Sequence, residues 1–217
     1  MKTKITFLSL MFAVLFITAC DNDAIDAHGS IINEEREFTG YSSIAVNVPA
    51  KVYIIDAPGE SLRIKTHENL LSVIDTEVIG STLRISTNHN LRNVRTLEIY
   101  VSALDYEKLS ITGAGSISTE GCLNVEQLTL EITGAGVITV CGTANELSTR
   151  ISGAGKIEAY GLETLTTTVS VSGSGEVQTN VTESLNVDIS GAGVVKYMGD
   201  PQITSRISGA GVIRKAN

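Results

Sequence analysis

Apolar and polar residues alternate along most of this chain, and from residue 111 the alternation is punctuated at regular intervals. The run Ile/Val-Ser/Thr-Gly-Ala/Ser-Gly-x-Ile/Val occurs six times, beginning at Ile111, Ile132, Ile151, Val171, Ile189 and Ile207. Successive starts lie 21, 19, 20, 18 and 18 residues apart. Alternation with β-branched residues specifies strands. A period near 20 specifies a stacked solenoid, in which each repeat is one unit of a shared core. The residue two before the first Gly of each copy is always Ile or Val. So is the residue four after it: Ile117, Ile138, Ile157, Val177, Val195 and Ile213. Both columns are expected to point inward. The alternation extends upstream, as in Leu128-x-Leu130-x-Ile132 and Leu185-x-Val187-x-Ile189.

The Gly-Ala-Gly triplets, from Gly113-Ala114-Gly115 to Gly209-Ala210-Gly211 with Gly173-Ser174-Gly175 as the fourth, fall between strands. Glycine reaches φ > 0 and allows close backbone approach, so each triplet predicts a tight corner. A small middle residue is expected to fit inside that corner. A second corner is expected eight residues after the first Gly, at Gly121, Gly142, Gly161 and Gly199, with Val181 replacing Gly in the fourth repeat. Just before each triplet stands a hydroxyl: Thr112, Thr133, Ser152, Ser172, Ser190 or Ser208. If the Ile/Val column points in, these point out, about 4.8 Å apart in stacked coils. They read either as a solvated ladder suited to β geometry or as a regular polar surface for a glycan or other repetitive ligand.

Residues 31–105 lack the triplet but remain strand-rich, at Ile44–Val48, Val52–Ile55, Leu62–Ile64, Thr82–Ser86 and Leu97–Val101. Pro58-Gly59 marks a turn, and His67–Ile74 a short helix or irregular loop. This half is expected to form wider, less regular coils that cap the stack. The last strand, near Val212, carries no evident cap, and Arg214 and Lys215 would discourage end-to-end pairing. The domain reading is therefore one β-solenoid over 31–217, irregular over 31–105 and repetitive over 106–217.

Composition narrows the function classes. Aromatics are 5% of the 217 residues and Trp is absent, which suits a narrow interior of Ile, Val, Leu and Ala. The formal net charge is −8. Loss of residues 1–19 removes Lys2 and Lys4, leaving 14 basic against 24 acidic side chains. Such a chain repels phosphate backbones, so nucleic acid is excluded as a partner.

Residues 1–20 combine Lys2 and Lys4 with an apolar run from Ile5 to Ile17 and end on Ile17-Thr18-Ala19-Cys20. The run is short for a membrane span. The pattern is that of a lipoprotein signal peptide over 1–19, with Cys20 as the lipidated residue and 20–30 as a flexible tether. Asp21-Asn22-Asp23 resembles an export signal of surface lipoproteins, or is a solvated linker. An outer-membrane lipoprotein of the bacterial envelope follows, with the side of the membrane left open.

No catalytic constellation emerges. His28, His67 and His89 have no ligand spacing, and HExxH, GxSxG and a helix-opening GxGxxG are missing. Glu120, Glu131, Glu158, Glu163 and Glu176 are scattered. No metal, no cofactor and no enzymatic activity are expected. Cys122 and Cys141 lie 19 residues apart, about one repeat. Their offsets from the local Gly differ by two residues, so a disulfide needs the loop to adjust; an oxidising compartment permits one.

The layout resembles the auto-transporter adhesin head GIN domain family. The matching features are Phe38-Thr39-Gly40-Tyr41-Ser42-Ser43-Ile44, Val52-Tyr53-Ile54-Ile55, Thr82-Leu83-Arg84-Ile85, and Leu104-x-x-x-x-Leu109-Ser110-Ile111-Thr112-Gly113-Ala114-Gly115 followed by the Gly-x-Gly coils. They cover about residues 34–214. The resemblance implies a right-handed parallel β-helix-like fold, carried on bacterial envelope lipoproteins, with no established activity and no catalytic residues. The favoured function is a lipid-anchored binding module, an adhesin for a glycan or matrix ligand. A self-associating structural protein of the periplasm is the alternative, and a β-helical carbohydrate-active enzyme a weaker one. For a glycan, Tyr160 and Tyr197 are the stacking candidates.

Overall fold

The computed structural model describes residues 24–55 and 57–216. The signal peptide and Cys20 lie outside the described residues. The chain is 70% strand and 3% helix, arranged as a β-solenoid whose regular coils, near 20 residues each, make about five turns.

Each coil contributes to two parallel faces. The first face stacks Thr82–Ser86, Ser43–Asn47, Lys108–Gly113, Leu123–Gly134 and then the later halves of Val137–Gly153, Lys156–Gly173 and Glu176–Gly191, ending on Gln202–Gly209. The second face stacks Leu97–Ser102, Lys51–Ile54, Ser116–Thr119, the opening parts of those three long strands, Val194–Met198 and Val212–Lys215. Both Ile/Val columns point inward, as the alternation requires. Ile111, Ile132, Ile151, Val171 and Ile189 are neighbours in register and at most 1% exposed. Ile117, Ile138, Ile157, Val177 and Val195 are equally closed.

At the corner, the two glycines of each triplet act for different reasons. The first takes φ between +102° and +124° in all six copies. The second has ordinary φ but no room. At Gly155 a Cβ would lie 2.5 Å from Ile132 Cγ2 of the preceding coil. The middle residue does not sit inside: Ala114, Ala135, Ala154, Ser174, Ala192 and Ala210 are exposed. The corner closes around the glycines and turns the middle side chain to solvent. Its amide stitches coils together, as Ala154 N–H donates to the Gly134 carbonyl at 2.9 Å. The second corner is uneven. Gly142 and Gly199 take φ of +129° and +89°, whereas the register slips between Ala159 and Glu163 around Gly161.

The N-terminal half departs from the expectation of wider coils. Ser43–Asn47 and Lys51–Ile54 form a regular coil directly below the repeats, and the coil containing Thr82–Ser86 and Leu97–Ser102 lies below that one. Antiparallel strands close this end. Asp75–Ile79 pairs with the first face, and Ser61–His67 then Ile31–Arg36 pair onto the second. A 3-10 helix, Glu68–Val73, plugs the core with Leu70 and Leu71. Arg36 donates to the Leu71 and Ile74 carbonyls at 2.9 and 2.7 Å, satisfying acceptors that the plug leaves open. Tyr41 is buried and donates to the Ser102 carbonyl at 2.7 Å; burial pushes its phenol up to about 12.

The N-terminal boundary moves. Ala24–Asp26, expected within the flexible tether, is a strand paired with Asn90–Arg92, and Ile25 and Leu91 pack on the core. The fold therefore begins before residue 31. At the other end, Ile203 and Ile207 are each 42% exposed and Val212 48%, because no further coil among the described residues covers them.

Cys122 and Cys141 are disulfide-bonded, with Cα atoms 4.8 Å apart. The two-residue lateral offset is absorbed between Ser118, aligned with Thr139, and Leu123, aligned with Gly142. The extra residues bulge at Glu120–Cys122.

Candidate functional site

The most regular polar feature is the hydroxyl column beside the Gly corners. Thr112, Thr133, Ser152, Ser172, Ser190 and Ser208 are consecutive partners in register, and all six are exposed. Among the described residues, no other group hydrogen-bonds any of these six side chains. The core hydroxyls behave differently: Thr164, Thr167 and Thr179 are buried and bonded to one another, at 2.8 and 3.4 Å. Burial forces a hydroxyl to find a partner; the outer column keeps its donors and acceptors for solvent or ligand.

Two more outward columns widen this face. Ser110, Glu131, Arg150, Ser170, Asp188 and Arg206 form a mixed-charge row, and Lys108 Nζ reaches from the next column to within 2.7 Å of Glu131. Beyond it run Thr129, Ser148, Thr168, Asn186 and Thr204. A parallel ladder repeats every ~4.8 Å. Such a face offers hydroxyls, each both donor and acceptor, at a fixed pitch to any extended polar ligand.

The second face carries an aromatic feature. Arg63, Tyr100, Tyr53, Ser118, Thr139 and Glu158 are successive neighbours across its strands. The Tyr53 and Tyr100 rings stack with centroids 5.1 Å apart, and the Arg63 guanidinium lies 4.2 Å from the Tyr100 centroid. Lys65 bridges to Glu98 at 3.0 Å, and the Tyr100 hydroxyl donates to the same carboxylate at 3.1 Å. The Lys65 hydrogen bond holds Glu98 below the usual carboxylate range and raises Lys65. Burial, then Glu98, raises Tyr100. No local pattern points to this pair, because Tyr53 and Tyr100 meet only through the coil order of the N-terminal half. Of the expected stacking residues, Tyr160 lies beside the outward Lys156 and Glu158, whereas Tyr197 falls on the inward column after Ala159 and Thr179.

Cavities add little. Two shallow depressions, of about 220 and 120 Å³, share Asn124 and Val125 along the edge opposite the Gly corners. Both are below the ~300 Å³ at which enclosed small-molecule sites usually begin. No cluster of three metal-ligating side chains occurs among the described residues. His67 is buried in the cap with Nδ1 3.3 Å from the Gly29 carbonyl. No helix among the described residues is long and apolar enough to cross a membrane.

Residues 40–201 match the family model described as "Putative auto-transporter adhesin, head GIN domain". Among solved structures, a "putative adhesin" from Bacteroides fragilis is similar at 22% identity and a TM-score of 0.73, covering 88% of this chain and 100% of that one. A "putative adhesin" from Parabacteroides merdae is similar at 15% identity and 0.54, covering 90% and 100%. A "putative lipid binding protein" from Parabacteroides distasonis is similar at 23% identity and 0.54, covering 89% and 100%. At these identities the likeness establishes the solenoid fold. No protein of curated function matches the chain.

Proposed function

This chain belongs to the auto-transporter adhesin head GIN domain family, and from that premise we propose that it is a lipid-anchored binding module of the bacterial cell envelope. Cys20 carries the anchor, and the solenoid projects its hydroxyl face toward a glycan or matrix ligand. The observation that carries this reading is the line of six exposed, unengaged hydroxyls held in register by the Gly corners. Fixed spacing favours a repetitive ligand, because each further rung adds a weak hydrogen bond at little additional ordering cost. The polar face does not need an enclosed pocket to do this. An outer-membrane location on the outward side follows from such a role, since an adhesin must meet its ligand outside the cell.

Protease shaving of intact cells tests the placement. Loss of the solenoid, with a periplasmic marker intact, is expected. Protection until the outer membrane is breached would transfer the protein to the periplasm and remove adhesion as its role.

A further inference from the structure

We propose that the second face contains a sugar-ring subsite, with the free face of Tyr53 as its stacking wall and Ser118 and Thr139 as its floor. The inference rests on the binding-module reading and gives it a ligand class: a neutral pyranose presenting a C–H-rich face.

The geometry begins with the Tyr53–Tyr100 pair. Their centroid separation of 5.1 Å is close to the ~4.8 Å strand spacing, and the rings are 23° from parallel. The rings therefore face one another across the strands. One side of Tyr100 meets Arg63 and the other meets Tyr53. The second side of Tyr53 looks along the ladder toward its other neighbour, Ser118. After Ser118 comes Thr139, and only at Glu158 does a long side chain return. The column thus steps down from an aromatic ring to two small hydroxyls and up again to a carboxylate. Among the described residues, no ring or cation covers the second face of Tyr53, and no group hydrogen-bonds its hydroxyl.

The surroundings suit a sugar. The apolar face of a pyranose stacks on an aromatic ring while its hydroxyl edge needs donors and acceptors. Ser116 and Ser118 supply hydroxyls on the strand next to Tyr53. Thr139 is already oriented, donating to Glu158 at 3.0 Å. Lys156, 2.6 Å from Glu158, holds that carboxylate in place. Lys51 flanks Ser116 in the adjacent column. Behind the platform, the Arg63 stack and the Tyr100–Glu98–Lys65 bonds keep the rings from turning. The subsite also adjoins the hydroxyl ladder, because Thr112 and Ser118 flank one Gly corner. A polymer on the ladder could seat one ring against Tyr53.

The chain has six tyrosines, and two of the variants remove Tyr53, so binding is read by isothermal titration calorimetry. The test titrates the lipid-free protein, residues 21–217, with neutral gluco-, manno-, galacto- and N-acetylglucosamine oligosaccharides. The variants are Tyr53→Phe, Tyr53→Ala and Ser118→Tyr, each checked for an unchanged melt. At least one oligosaccharide is expected to bind. Tyr53→Phe should retain its affinity within about threefold, whereas Tyr53→Ala and Ser118→Tyr should each lose about tenfold or more. Equal binding by Tyr53→Ala overturns the subsite. Absence of oligosaccharide binding overturns it too, and if the protein still binds a matrix protein, the binding-module reading survives that result. Failure to bind either class, together with protection from protease shaving, removes both.

Discussion

Replacing Gly153 by alanine is expected to destabilise the solenoid by about 4 kcal/mol, lowering the melting midpoint by roughly 8–16 °C. Two costs combine. Gly153 has φ of +124°, a region closed to side-chain-bearing residues at a cost of about 1–3 kcal/mol. In addition, an added Cβ would sit 2.5 Å from the Gly134 carbonyl oxygen of the neighbouring coil. That atom belongs to backbone already bonded to Ala154 N–H, so relief means breaking the stitch between coils. The neighbouring exposed position supplies the control. Ala154→Ser should change stability by no more than about 0.5 kcal/mol. Thermal unfolding followed by circular dichroism separates the two, and a Gly153→Ala protein that melts with its parent would refute the corner mechanism.

The inward column offers the second large effect, read as a difference between two identical substitutions. Ile151→Ala should cost about 2–5 kcal/mol, because Ile151 is 0% exposed between two packed coils and its removal leaves a cavity. Ile207→Ala, in the same column, should cost about 1 kcal/mol or less, because Ile207 is 42% exposed on the terminal coil. Denaturant unfolding of both variants measures the gap. Equal losses would mean that the terminal coil is covered in solution, by a second copy or another segment.

The repeats were legible because each position has one physical task. Ile132 and Ile151 must be apolar and suit a strand, Gly134 and Gly153 must do without a Cβ, and Thr133 and Ser152 must suit a strand facing water. Six copies of that pattern determine the register as well as the architecture. The orientation of the middle alanine was not legible, since a small residue fits equally inside or outside a corner. The N-terminal half was legible as strands and as a cap, but not in its coil order, for a different reason. Its strands were recognisable one by one, but Ser43–Asn47 pairs with both Thr82–Ser86 and Lys108–Gly113. No local signal encodes such long-range pairing, and the same rearrangement hid the Tyr53–Tyr100 stack. Tyr197 misled because alternation places it inward, a parity that outweighs its amphipathic side chain. The strand at Ala24–Asp26 was missed because three residues are too few to display a period.

If the ordered hydroxyl face binds the ligand, bulk and charge placed on it must weaken binding. Ser152→Lys with Ser190→Lys tests it most directly, since Ser172 separates the two lysines and both positions are exposed. Parent and variant proteins, residues 21–217, would be measured against immobilised mucin, collagen, fibronectin and the oligosaccharides above. The parent is expected to bind at least one surface, and the variant, with an unchanged melt, to lose about tenfold or more of that affinity. Undiminished binding by the variant would rule out the hydroxyl face as the binding surface, as would a parent that binds none of them.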